Sequence, residues 1–285
     1  MNETLLNWAQ SVHKICEDAG RDILEVYNRT GNIEVETKSD ESPVTAADLA
    51  AHQTIISGLS ELTPDIPILS EESALPDYNI RKQWSQYWLI DPLDGTKEFI
   101  NRNGEFTVNI ALIRDGEPIL GIVYVPVKKI AYIGVQELGA WKICNNERSD
   151  IRIRTVQSQI EHHLPIELVA SRRHGAEAVE NMIQTLETEF GQVLTKSMGS
   201  SLKLCLIAEG EADLYPRLAL TSEWDTAAAH AVVNAAGGKV IDANFDILRY
   251  NQKDNILNPY FFVIGDTTCP WEKILSPWKG ISPDQ

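Results

Sequence analysis

The chain has 285 residues, 43% apolar and 23% charged, enough to bury a substantial core as one large or two moderate domains. Its 41 acidic against 25 basic residues leave a formal charge of −16, which argues against nucleic-acid binding through a broad basic surface. The four cysteines, Cys16, Cys144, Cys205 and Cys269, are widely spaced with no CxxC pair, which speaks against zinc and a disulfide scaffold and leaves buried free thiols as the simplest expectation. Residues 1–10 lack the basic patch and apolar run of a signal peptide, and no apolar run reaches membrane-spanning length, so a cytoplasmic protein without an integral membrane segment is expected.

Leu5, Trp8, Val12, Ile15, Cys16, Ala19, Ile23 and Val26 recur at helical spacing and predict a long amphipathic helix up to Thr30-Gly31. An edge strand is expected around Ile33 and Val35. Residues 38–44 are polar and broken by Pro43, which predicts a mobile loop and a candidate lid. Thr45 followed by Asp48 forms a variant capping box for a helix to about Leu62, and capping alone accounts for Asp48. Pro67-Ile-Leu-Ser70 predicts a short strand ending in Glu71 and Glu72, which as adjacent acids are ordinarily solvated.

The stretch Trp88-Leu-Ile-Asp91-Pro92-Leu93-Asp94-Gly95-Thr96-Lys97-Glu98-Phe99 carries the chemistry. Residues 87–90 predict a buried strand that ends at Asp91, with Pro92 stopping the ladder, Gly95 allowing a tight turn and Thr96 opening a helical turn. Two carboxylates, a hydroxyl and free backbone groups at one strand end are donors of the kind a hard cation takes. Asp-Pro and Asp-Gly are also ordinary turn formers.

Residues 106–113, 119–125 and 129–134 predict strands joined by hairpins, hence a largely antiparallel sheet flanked by the early helices. After a polar passage at residues 145–163, further strands are expected at 167–170, 192–195 and 260–265, and helices at 178–190 and from the Lys196-Ser-Met-Gly199-Ser200-Ser201 loop to about Glu209. That loop can expose backbone N–H groups to an anion, although its small-residue core is weak evidence alone. His174, Lys203 and Arg217 each have a bland reading as a surface or solvated residue. Ser222-Glu223-Trp224-Asp225-Thr226 opens a helix running to Gly237-Gly238, and the helix dipole alone explains an acid at Asp225.

Four strings in order, PVTxAD, SEES, DPLDGTKEF and EWDTAAA, resemble the inositol monophosphatase superfamily of metal-dependent, lithium-sensitive phosphatases. DPLDGTKEFI with Asn103-Gly104-Glu105-Phe106-Thr107-Val108-Asn109 is similar to its 3′(2′),5′-bisphosphate nucleotidase branch, and the likeness covers nearly the whole chain. The resemblance implies an α/β (α+β) fold, the layered αβαβα sandwich of the inositol monophosphatase and sugar phosphatase type. Residues 1–155 would form an N-terminal half with the metal motifs. Residues 156–285 would form a C-terminal half with the nucleotide contacts and the last metal-ligand aspartate.

By position, the resemblance implies that Glu71, Asp91, the carbonyl of Leu93, Asp94 and Asp225 hold two or three Mg²⁺ ions. Thr96 and Asp48 would activate the attacking water, with Glu71 also part of the catalytic set. Gly95, Thr96, His174, Gly199, Ser200, Lys203, Arg217 and Asp225 would bind substrate. Lys203 and Arg217 would meet a phosphate that is not hydrolysed. The implied reaction removes the 3′-phosphate of adenosine 3′,5′-bisphosphate, with 3′-phosphoadenylyl sulfate as a second substrate, in sulfate assimilation. The alternatives are an inositol or sugar phosphatase of the same superfamily, and a nucleotide sensor without catalysis.

Overall fold

The computed structural model describes residues 2–29, 35–37, 43–170 and 176–282. α1 (Asn2–Tyr27) leads to a short hairpin of β1 (Val35–Thr37) and β2 (Pro43–Thr45), then α2 (Ala46–Leu62). Next come β3 (Ile68–Ser70), one turn of α3 (Tyr78–Arg81), β4 (Gln86–Asp94), α4 (Thr96–Ile100) and β5 (Thr107–Arg114). A meander follows: β6 (Glu117–Val125), β7 (Ile130–Val135), β8 (Gly139–Cys144) and β9 (Glu147–Ile151). The chain then runs through α5 (Val156–Glu161), β10 (Ile166–Ala170), α6 (Ala176–Phe190), β11 (Val193–Ser197), α7 (Leu202–Ala208), β12 (Leu214–Arg217), α8 (Glu223–Ala235), β13 (Lys239–Asp242), β14 (Phe261–Ile264) and α9 (Trp271–Ile274).

The first sheet has seven strands in the order β3-β4-β5-β6-β7-β8-β9, with β3 parallel to β4 and every other pair antiparallel. The second has five, β11-β10-β12-β14-β13, with parallel and antiparallel pairs. Alternation along β5 and β6 sends Val108, Ile110 and Ile122 to one face, where Leu5, Val12 and Ile23 of α1 and Ile55 of α2 cover them. The opposite face meets Ala227, Ala228 and Val232 of α8, which share one core with Val263 of the second sheet. The far face of that sheet packs Leu168 and Phe262 against Met182, Leu186 and Trp271. The layers therefore run αβαβα. The described cysteines are free, with Cys16 and Cys205 in the core, and no helix among the described residues is long and apolar enough to cross a membrane.

A row of small residues sets how closely α8 approaches the first sheet. Ala111, Gly121, Gly134 and Ala140 are cross-strand partners on β5 to β8. A Cβ on Gly121 would lie 2.1 Å from the carbonyl oxygen of Ala228, and one on Gly134 would lie 2.4 Å from the Cα of Val232. The helix rests on bare backbone, and its alanines make that possible. Gly134→Ala is expected to push α8 outward, costing about 1–3 kcal/mol as overpacking does. Because α8 carries Asp225, any activity that depends on that carboxylate should fall along with the midpoint of denaturant unfolding. Full activity at unchanged stability would contradict this.

The strands at 139–144 and 147–151 lie within or beside a stretch that sequence reading treats as a polar passage. β9, Glu-Arg-Ser-Asp-Ile, is an edge strand with Glu147 to Asp150 all exposed, so burial imposes no apolar alternation on it.

Candidate metal and phosphate site

β4 continues through Pro92 to Asp94, beyond the predicted end at Asp91. Asp91 pairs with Asn109 and Asp94 with Thr107, so the stretch from Asp91 to Asp94 on β4 is matched by one residue fewer on β5. In a regular strand, residues three apart point to opposite faces. The extra residue is a β-bulge that returns Asp94 to the face of Asp91. Proline has no N–H to leave unpaired there. Leu93, 2% exposed, donates its N–H to Asp91 Oδ1 at 3.0 Å. Gly95, at φ +94°, then turns the chain into α4 through a conformation that favours glycine.

Glu71 arrives from the parallel neighbour β3, its N–H bonded to the Ile90 carbonyl at 3.2 Å. Asp225 arrives in the first turn of α8, where its Oδ2 accepts the Ser222 N–H at 3.0 Å. Each of Glu71, Asp91 and Asp225 offers a carboxylate oxygen, and these oxygens all lie within 4.8 Å of one another. Asp94 stands beside them. Its Oδ2 accepts the Ser201 N–H at 2.6 Å and lies 2.7 Å from Ser201 Oγ, which is also 2.7 Å from the Asp225 carbonyl.

Burial first, then the charges of Glu71, Asp94 and Asp225, push Asp91 well above the ordinary carboxylate range. Burial, followed by Asp94 and Glu71, raises Asp225 in the same way. Glu71 lies close enough to Asp91 to be the first charge, after burial, that disfavours its ionised form. A close all-oxygen donor set whose buried members resist ionisation fits a hard divalent cation, which would compensate their charge.

Asp48 is 2% exposed and held by Thr45, whose N–H and Oγ1 donate to its Oδ2 at 2.8 and 2.6 Å. The expected capping box is present. Thr96 Oγ1 lies 3.4 Å from the other oxygen, Asp48 Oδ1, so the acid caps its helix and also meets the threonine. Burial raises the Asp48 carboxyl, against the hydrogen bonds from Thr45.

Lys203 is half-buried, and its Nζ donates to the Ser200 carbonyl at 2.7 Å. Arg217 Nη2 donates to the Leu220 carbonyl at 3.0 Å, and its buried Nε has no partner among the described residues. Both cations line one pocket with Asp94, Gly95, Gly199, Ser200 and Asp225. His174 lies outside the described residues, as do residues 38–42 of the expected lid. In the 199–201 loop, two of the backbone donors expected to face an anion have protein partners. The Gly199 N–H is bonded to Glu105 Oε2 at 2.9 Å and the Ser201 N–H to Asp94, so both donors already serve carboxylates.

Sequence reading misses several supporting residues. His52 Nδ1 lies 2.9 Å from Ser70 Oγ, which also accepts the Glu72 N–H at 3.3 Å. His52 thus ties α2 to the turn that carries Glu71. Its i+4 spacing from Asp48 puts both on one helix face and is the signal that could have found it. Asn109 Nδ2 donates to Ser201 Oγ at 2.8 Å and lies 3.4 Å from Asp94.

The raised carboxyls predict a pH response. A folded-state pKa above the unfolded value contributes stability that is present at low pH and lost as pH rises through it. Asp48, Asp91 and Asp225 act in that sense, as does Glu223, which burial pushes up to about 7. Metal-free protein should therefore melt at progressively lower temperature as pH rises from the ordinary carboxylate range toward neutrality and above. A hard divalent cation should restore the part that comes from Asp91 and Asp225, with the larger effect at higher pH. Melting curves at several pH values, with and without cation, check this, and a cation effect independent of pH would contradict it.

The chain matches the inositol monophosphatase family over residues 4–261. It is 48% identical over 254 residues to the 3′(2′),5′-bisphosphate nucleotidase CysQ of Salmonella typhimurium, covering 89% of this chain and 98% of that protein. The CysQ of Escherichia coli K12 is 49% identical over 252 residues, covering 88% and 97%. The crystal structure of CysQ from Bacteroides thetaiotaomicron, a bacterial member of the inositol monophosphatase family, superposes with a TM-score of 0.76 at 43% identity, covering 91% of this chain and 97% of that one. By sequence and by fold, the chain belongs to the inositol monophosphatase family.

Proposed function

We propose that this chain is a Mg²⁺-dependent 3′(2′),5′-bisphosphate nucleotidase that hydrolyses adenosine 3′,5′-bisphosphate to AMP and phosphate. The observation that carries the reading is one pocket with two chemistries. Asp94 and Asp225 line it together with the part-buried Lys203 and the Arg217 guanidinium. A monophosphate needs only the acids with their cations. A second, unreacted phosphate gives the two cationic side chains a partner. The names of the relatives support the same substrate, and 3′-phosphoadenylyl sulfate is the natural second one. Its role would be to clear a by-product of sulfate assimilation.

Glu71, Asp91, the Leu93 carbonyl, Asp94 and Asp225 would hold the Mg²⁺. When bound, the cations supply charge neutralisation for the phosphoryl group and acidify the water nucleophile. Thr96 orients that water through its hydroxyl. A threonine hydroxyl is a poor base alone, and Asp48, 3.4 Å away and kept in place by Thr45, is the carboxylate that takes the proton. Lys203 and Arg217 hold the 5′-phosphate and so align the 3′-ester with the acids.

The test is phosphate release with Mg²⁺ from adenosine 3′,5′-bisphosphate, inositol 1-phosphate and fructose 1,6-bisphosphate. A nucleotide preference that Li⁺ suppresses is expected, and preference for inositol or sugar phosphate would overturn the substrate. Lys203→Met and Arg217→Met should each lower kcat/KM for the nucleotide by about 10–100-fold, the loss of a charge-assisted hydrogen bond, with less effect on a small phosphomonoester. Asp94→Asn should abolish turnover of every substrate in a protein that still folds.

A further inference from the structure

The loop that carries Ser200 and Ser201 is seated, residue by residue, on one face of β5 and the segment before it. Glu105, Thr107 and Asn109 alternate along an extended chain, so their side chains point the same way. Glu105 Oε2 accepts the Gly199 N–H at 2.9 Å. Thr107 Oγ1 lies 3.4 Å from Ser200 Oγ. Asn109 Nδ2 donates to Ser201 Oγ at 2.8 Å. Glu105 just before β5, and Thr107 and Asn109 on it, thus meet three consecutive loop residues.

The seat leaves little slack. A Cβ on Gly199 would lie 2.9 Å from Glu105 Cβ, from the Glu105 carbonyl oxygen and from Glu98 Cγ. Ser200 sits at φ +44°, a conformation that a non-glycine residue keeps only where its surroundings impose it. The Ser200 carbonyl in turn receives Lys203 Nζ at 2.7 Å. The position of the Lys203 ammonium therefore depends on where the loop sits, and the loop depends on the ladder beneath it.

We infer that Glu105, Thr107 and Asn109 form a specificity ladder that fixes the 199–201 loop and, through it, the cation that receives the unreacted phosphate of a nucleoside bisphosphate. Glu105 and Thr107 are positioning residues: they act on the ligand only through the loop. Asn109 also reaches Asp94, 3.4 Å away, and so joins the ladder to the acidic cluster. This inference rests on the nucleotide reading above and names what sets its selectivity.

The experiment is steady-state kinetics on the full chain with Mg²⁺ and adenosine 3′,5′-bisphosphate, for wild type, Glu105→Ala, Glu105→Gln and Thr107→Val. Glu105→Ala should raise KM by about tenfold or more while kcat stays within about threefold, because Glu105 holds the loop at Gly199, whereas Ser201 keeps its own bonds to Asp94 and from Asn109. Glu105→Gln keeps an oxygen for the Gly199 N–H and should return KM to within about threefold of wild type. Thr107→Val should raise KM in the same direction by less, and it carries the test alone if Glu105→Ala does not fold. A fall in kcat at unchanged KM, an unmoved KM in these variants, or Glu105→Gln no better than Glu105→Ala would overturn the ladder. Wild-type protein that does not hydrolyse the nucleotide would overturn the reading beneath it, which is a different result from wild-type turnover with unmoved variants.

Discussion

Like charges buried together resist ionisation, and this chain gathers four carboxyls where they would repel one another. Asp91 is 2% exposed, and Glu71, Asp94 and Asp225 all act to raise it. Two unit charges 4 Å apart interact by about 4 kcal/mol at an effective dielectric of 20, so several full negative charges cannot coexist there without cations. The fold must therefore hold the acids together against their own repulsion. It does so with separate devices: a bulge for Asp91 and Asp94, a parallel strand neighbour for Glu71, and a capped helix for Asp225.

The helix is the device with the longest reach. Asp225 lies in the second half of the sequence, yet its helix packs on the first sheet through Gly121 and Gly134. Close approach of backbone to backbone converts a packing preference into a position for one carboxylate. Ser201 adds a second tie, its hydroxyl lying 2.7 Å from both Asp94 Oδ2 and the Asp225 carbonyl. The acidic cluster and the cationic pocket thus share a wall, which in the proposed reading a ligand carrying two phosphates would bridge.

Much of this was legible in the chain. Asp91 and Asp94 read as oxygen donors where an apolar run ends, while Glu71 and Asp225 have ordinary local readings and join them only through the resemblance of the four strings. The capping box at Thr45 and Asp48 reads directly, and the structure shows that capping and contact with Thr96 are one arrangement. Other features were not legible, for physical reasons. The bulge at Pro92 exists only relative to β5, so a proline read alone looks like a strand end. β9 has exposed residues and hence no apolar period. The partners of His52 and Glu105 lie 18 and 94 residues away, and no local pattern encodes such a contact. The Gly199-Ser200-Ser201 loop looked like an anion cradle because its free N–H groups are local, while the carboxylates that occupy them are not.

The central claim is that this acidic cluster holds protons until divalent cations replace them. Calorimetric titration of Mg²⁺ into metal-free protein at neutral pH, repeated in buffers of different ionisation enthalpy, measures that exchange directly. The account predicts saturable binding with net proton release, reduced when Asp225 is replaced by Asn. Saturable binding with no proton release, or no binding at all, would contradict it.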